Sequence, residues 1–549
     1  MFEILDKCLA GRVGKLYTKS GVIETPALFP VINPLRQIVP LSEIEKIGYR
    51  QVITNAYLVM KNFRDLAVEL KIHNILDWRN VIMTDSGAYQ LMEYGFIDID
   101  PDDILKYQID IETDIAVILD IPSRVDTSRI KIINDVEETL RRARRALEYL
   151  KIIDPNHKTL IVGPIQGGIN FDILQYSARC MSKLDFDIYA IGSPTTLLEE
   201  YDFRSIIKMI ITAKSYLPLG KPIHLFGAGH PLIMPLSVAL GVDLFDTASY
   251  ALYARDDRLI MRDRTVRLNE LSTEYIPCSC PTCSKYSVKE LKELSKQERE
   301  KLIAIHNLYA LHREIEEVKQ RIKEGTLWNY IEEKACSCSK LQNALIELKL
   351  FSKIFKKIDL ETRGKVHGLE IITEIDRPEC ERYVEKLISN YVPPPKKVLL
   401  IIEEFKERPY TRNVLFRTLT EKLRRMNILS HVHIAFLNPI LGIIPHELSE
   451  VYPVSQHEYS ELVFEKYLER NIDVLRRYLL KTNYEIVIFL VSDRYLKSKS
   501  IFRIGYKRIL IIKIGEIESL YSIADWLALL IKRVIYSMEG HLPSSQELS

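Results

Sequence analysis

The chain has 549 residues, with Lys+Arg 76 against Asp+Glu 74, and a formal net charge of +2. Hydrophobic residues make up 47% and charged residues 27%, which excludes disordered, collagenous and low-complexity architectures. No global basic field exists to attract nucleic acid, so any RNA or DNA binding must use local patches.

Along the first 250 residues, short apolar runs alternate with helical patterns. The expected strands are Ala27–Ile32, Gln51–Ala56, Val81–Thr84, Ile115–Leu119, Leu160–Ile165, Asp187–Ile191, Pro222–Phe226 and Asp243–Phe245. The segments Ile104–Ile111, Val136–Leu150, Ile173–Leu184 and Ile206–Tyr216 carry apolar residues three and four apart and read as helices. Eight strands alternating with helices predict an α/β fold, a (β/α)8 TIM barrel, over residues 1–275. A doubly wound open sheet is the alternative. Residues 276–355 read as a zinc-binding and helical subdomain, with helices at Glu290–Leu311 and Leu341–Leu350. Residues 356–549 read as a C-terminal α/β module, with a linker near 392–397 at the Pro393-Pro394-Pro395 run. There, Val398–Ile402 and Ile486–Val491 read as strands, and Val463–Leu480 and Ile523–Tyr536 as helices. No run reaches the ~20 apolar residues of a membrane helix. The acidic start Met1-Phe2-Glu3 is unlike a signal peptide, so a cytoplasmic protein is expected.

Barrel enzymes place their chemistry at the C-terminal ends of strands. Those ends carry Asp85, Asp120, Gln166, Gly192 and Asp246, most beside Gly, Ser or Pro. Three carboxylates and one carboxamide in one mouth suit displacement at a sugar carbon: one acid attacks and a second moves a proton. The remaining acid and the amide suit the donor edge of a purine-like base. Against this, an Asp after a strand is a common turn former or helix cap. Cys278, Cys280 and Cys283 stand within six residues, a spacing that brings three thiols to one tetrahedral metal. By spacing, His306, His312, Cys336 and Cys338 compete for the fourth place. Arg255, Arg258, Arg262, Arg264 and Arg267 suit phosphate contact or a solvated charged loop. Cys8, Cys180 and Cys380 read as packing residues. His224 and His230 flank a Gly-rich turn without a ligand pattern.

Taken together, these residues resemble the archaeal-type tRNA-guanine transglycosylases. Glu24–Ala27 with Pro30–Pro34 is similar to the family's first strand, Thr84–Gln90 to its Asp-Ser-Gly motif, and Leu244-Phe245-Asp246 to its nucleophile strand. The resemblance implies that Cys278, Cys280, Cys283 and His306 bind one structural Zn2+. It implies that Asp246 attacks the anomeric carbon of a tRNA guanosine while Asp85 acts as acid and base. Asp120, Gln166 and the backbone at Gly192 would hold the base edge, and Tyr89 would stack on its face. The segment Tyr189–Thr195 carries no acid for a cationic amine, so the neutral 7-cyano-7-deazaguanine is the expected incoming base, and guanine 15 of the D-loop the expected target. A homodimer is implied by the family alone. Pro194 departs from the family pattern and lacks an N–H.

Asn438–Leu448 with Val451–Pro453 resembles the domain shared with archaeosine synthase. Arg408 stands where that enzyme's motif has Lys, so a tRNA-contacting or structural role is expected there. No RNA-binding PUA module is recognisable through Ser549, so either a separate PUA-domain protein supplies it or this chain grips the tRNA differently. The competing readings are a synthase-like tRNA modification enzyme and a non-catalytic tRNA-binding subunit.

Overall fold

The computed structural model describes residues 2–88, 99–192, 194–350, 355, 358–361, 369–371, 377–496, 504–514 and 520–538. The chain forms two compact units, one of Met1–Phe351 with Ile358–Leu360, the other of Ser352–Lys357 with Glu361–Ser549.

The first unit opens with an antiparallel sheet of β1 (Phe2–Cys8), β2 (Gly11–Tyr17) and β3 (Val22–Thr25), which the hydrophobic pattern does not reveal. β1 is mostly exposed, so no apolar alternation marks it. Then come β4 (Ala27–Ile32), β5 (Gln51–Asn55), β6 (Val81–Asp85), β7 (Ile115–Val117), β8 (Leu160–Ile165), β9 (Ile188–Ile191), β10 (Ile223–Leu225) and β11 (Leu244–Thr247). They close into one parallel barrel, in which β11 pairs with β4. The expected barrel is thus present, and the open sheet is not. Most of the barrel's inward residues are small or branched: Ala27, Ile53, Val81, Met83, Ile115, Val117, Leu160, Val162, Ile188, Ala190 and Leu244 form one buried cluster. Leu16 and Ile23 of the N-terminal sheet join that cluster and close the end of the barrel opposite the mouth.

The two expected strands that open on an acid, at Asp187 and Asp243, begin one residue later than expected. In both, the acid caps a neighbouring strand instead of joining the ladder. Asp114 Oδ2 accepts from Ile82 N–H (2.8 Å), Asp187 Oδ2 from Ile161 N–H (2.9 Å) and Asp243 Oδ2 from Ile223 N–H (2.8 Å). Each acid sits just before β7, β9 or β11 and satisfies an amide of the strand before it. Arg12, 3% exposed, donates from Nε to Asp243 Oδ1 (2.9 Å) and so ties β2 to the start of β11. After the barrel, β12 (Arg258–Ile260) and β13 (Thr265–Arg267) pair antiparallel. The expected helix over Glu290–Leu311 is two helices, Val288–Glu293 and Lys296–Glu324. Ser295 breaks the run: its side chain accepts from Glu298 N–H and caps the second helix.

In the second unit, β14 (Leu369–Ile371) precedes β15 (Val398–Glu403), β16 (Val432–Asn438), β17 (Gly442–Pro445), β18 (His457–Tyr459), β19 (Ile486–Val491) and β20 (Ile509–Lys513). Five of them form a sheet in the order β17-β16-β15-β19-β20, with only β17 antiparallel. Val398–Ile402 and Val487–Val491 are buried throughout, as a central parallel pair covered on both faces requires. The Pro393–Pro395 run lies inside this unit, between the helix Pro378–Ser389 and β15. No described helix is long and apolar enough to cross a membrane.

Candidate active site and metal centre

Strand alternation explains how the mouth is furnished. Side chains two apart share a face, so Asp85 continues the inward row Val81 and Met83, and Asp246 continues Leu244. Asn55 stands opposite Asp85 in the β5–β6 register, and its Nδ2 donates to Asp85 Oδ2 at 3.2 Å. Burial, reinforced by the negative charges of Asp120 and Asp246, raises the Asp85 carboxyl from 3.8 to about 7.

Asp120 is 4% exposed, and burial raises it to about 6 against the opposing hydrogen bond from Gln166. Gln166 Nε2 donates to Asp120 Oδ2, while Gln166 Oε1 accepts from Ser123 N–H at 3.1 Å. The amide orientation follows from these partners. Gly192 lies against the same amide: a Cβ there would stand 2.2 Å from Gln166 Nε2. Tyr89 and Ser193 lie outside the described residues.

Asp246 is held differently. Its Oδ1 accepts from Gly227 N–H (2.8 Å) and pairs with His224 Nε2 (2.9 Å). His224 is fully buried between Phe29 (ring centroids 6.0 Å) and Phe226 (4.5 Å). Its Nδ1 has no hydrogen-bond partner among the described residues, so the proton belongs on Nε2, facing the carboxylate. Both donors converge on Oδ1. The sequence gives His224 no motif, but its register would have marked it: His224 lies level with Leu244, one inward layer below Asp246. His230, its companion in the sequence, instead accepts from Leu232 N–H at 3.3 Å through Nδ1.

The thiols of Cys278, Cys280 and Cys283 and one nitrogen of His306 lie within 4.8 Å of one another. His306 Nδ1 is 3.5 Å from Cys280 Sγ and 3.3 Å from Cys283 Sγ. Nε2 faces Ile260 O at 3.1 Å, which fixes the ring with Nδ1 toward the thiols. This donor set fits a tetrahedral metal. His312 is placed elsewhere, against Tyr49 (5.1 Å), and Cys336 and Cys338 do not join the group. Of the basic segment, Arg255 pairs with Glu300 (3.4 Å), Arg262 with Glu333 and Arg264 with Asp263 (3.0 Å), while Arg258 lies over Tyr253 (5.0 Å).

A closed parallel barrel whose mouth carries these carboxylates, followed by a Cys3His cluster, defines a class, and the comparisons agree. The family described as Queuine tRNA-ribosyltransferase matches residues 6–340, and the chain belongs to it. Residues 380–512 match a domain family of unknown function, DUF5591. Among curated relatives, the tRNA-guanine(15) transglycosylase of Pyrobaculum aerophilum is 45% identical over 91% of this chain and 97% of its own length. The protein of that name from Sulfolobus acidocaldarius is 38% identical over the same shares, and that from Methanocaldococcus jannaschii is 38% identical over 88% and 73%.

Proposed function

We propose that the chain is a pentosyltransferase that exchanges guanine 15 of tRNA for 7-cyano-7-deazaguanine, in the archaeosine pathway. One observation carries the division of labour: two carboxylates share one mouth in opposite settings. Asp246 has one oxygen held by two donors, which fixes the carboxyl group in place and leaves Oδ2 to attack. Asp85, raised to about 7, exchanges a proton near neutrality.

In this reading, Asp246 Oδ2 bonds to C1′ of the guanosine ribose. The C1′–N9 bond breaks, its electron pair leaves with guanine, and Asp85 in its acid form supplies the proton. The incoming base then gives its N9 proton to the Asp85 carboxylate, N9 attacks C1′, and the Asp246 carboxylate is released. Asp120 and the Gln166 amide, already joined, meet the base edge together with the backbone at Gly192, which packs against that amide. Tyr89 is the residue proposed by resemblance to stack on the base, and the target nucleotide leaves its stack to reach the mouth. Cys278, Cys280, Cys283 and His306 would hold one Zn2+, which would supply a structural cross-link. A homodimer rests on the family alone. The synthase-like alternative is disfavoured: Arg408 pairs with Glu404 at 3.3 Å, and a guanidinium offers no free amine.

The test uses unmodified tRNA transcript, radiolabelled guanine and the Asp246→Asn variant. Label should enter the RNA at position 15 with the wild-type protein and not with the variant, which should still bind tRNA. Equal incorporation by both would overturn the assignment of Asp246.

A further inference from the structure

Among the described residues, two groups of three or more His, Cys, Asp or Glu side chains bring one donor atom each within 4.8 Å of one another. The first is the Cys3His cluster. The second lies in the other compact unit: His433 of β16, with His446 and Glu447 just after β17. We propose that these three residues form a second metal site, which takes a borderline divalent cation such as Zn2+ through two imidazoles and a carboxylate.

The spacing supports this. Donors bound tetrahedrally to one zinc at 2.0–2.1 Å stand about 3.4 Å apart. Glu447 Oε2 is 3.2 Å from His433 Nε2 and 3.3 Å from His446 Nδ1. His433 is also oriented as a metal ligand is: the ring is buried, and its other nitrogen, Nδ1, meets the Tyr484 hydroxyl. The Tyr391 hydroxyl completes the surround, 3.3 Å from Glu447 Oε2 and 3.5 Å from His433 Nε2. A path for the ion exists, because the His446 and Glu447 side chains are 37% and 40% exposed. His446 Nδ1 also lies 3.1 Å from Ile434 O, so ligation through Nδ1 releases the proton held there. Two imidazoles and one carboxylate leave a fourth position for an exchangeable ligand, unlike a closed set of thiolates. Soft thiolates and this harder N,N,O set also give one ion two distinct spectra.

The experiment strips the full chain with a chelator, refills it with Zn2+ or Co2+, and counts bound metal. Wild type should take two equivalents. Co2+ in the first site should show thiolate charge transfer, and Co2+ in the second should show ligand-field bands without it. His446→Gln and Glu447→Gln, both at partly exposed positions, should each lose the second equivalent and keep the first. Cys283→Ser should show the converse, and Tyr484→Phe should weaken the second site about tenfold. Saturation of folded wild type at one equivalent, or two tight equivalents in Glu447→Gln, would overturn the proposal.

Discussion

Two side chains at the mouth make measurable demands. Asp85 has a folded value of about 7 against 3.8 in a solvated chain. The folded state therefore binds a proton that the unfolded state has lost across that window, and stability falls as pH rises from about 4 to 7. Asp85→Asn should raise the thermal midpoint at pH 8 and leave it nearly unchanged at pH 4. The same variant should lower turnover by about 10²–10⁴-fold and flatten the pH dependence of guanine release near 7. His224 acts through Asp246, as a positioning residue. Removing a hydrogen bond to a charged group costs about 1.5–3 kcal/mol, or roughly 10–10²-fold in rate. His224→Phe should lower kcat by that factor with KM for tRNA unchanged, and His224→Gln should recover part of it. An equal loss in both variants, with raised KM, would mark a packing role instead.

At the scale of elements, the far end of the barrel is held by charge as well as by apolar contact. Arg12 reaches Asp243 and the carbonyls of Leu219 and Lys221, and so joins the N-terminal sheet to β10 and β11. Removing one member of a buried ion pair strands the other and costs about 3–5 kcal/mol. Arg12→Ala should lower the denaturation free energy by about that much, while Arg12→Lys keeps the charge but loses the fork. The exposed pairs Arg141–Glu138 and Arg129–Asp172 are screened by solvent and should contribute far less than this buried pair.

Across the whole molecule, what was legible follows from where burial leaves a period. The barrel strands are buried and short, so each stands out as an apolar run between helical patterns. β1 and β3 expose much of their surface, and β2, though buried, is broken up by Gly11, Arg12, Gly14 and Lys15, so none of the three left such a trace. Asp114, Asp187 and Asp243 look in sequence like Asp85 and Asp246, yet they precede their strands and serve amides rather than a substrate. Which end of a strand an acid occupies separates the two jobs, and a shift of one residue blurs it. His224 was illegible because a lone histidine in an apolar run carries no motif; only the β10–β11 register brings it to Asp246. His433 and His446 sit in different elements, and the sheet alone makes them neighbours.

The closure of β11 on β4 also has a temporal meaning. Asp246 stands level with Phe29, and Asp243 meets Arg12, so the last barrel strand fastens onto residues made about 200 positions earlier. Chain growth runs from the N-terminus, and domains fold as units. A nascent chain shorter than about residue 247 therefore lacks both the wall that seals the barrel and the carboxylate proposed to attack. No nascent chain that stops short of β11 holds the carboxylate proposed to attack the glycosidic bond in tRNA. The order of synthesis keeps the reactive group until the other seven barrel strands have been made.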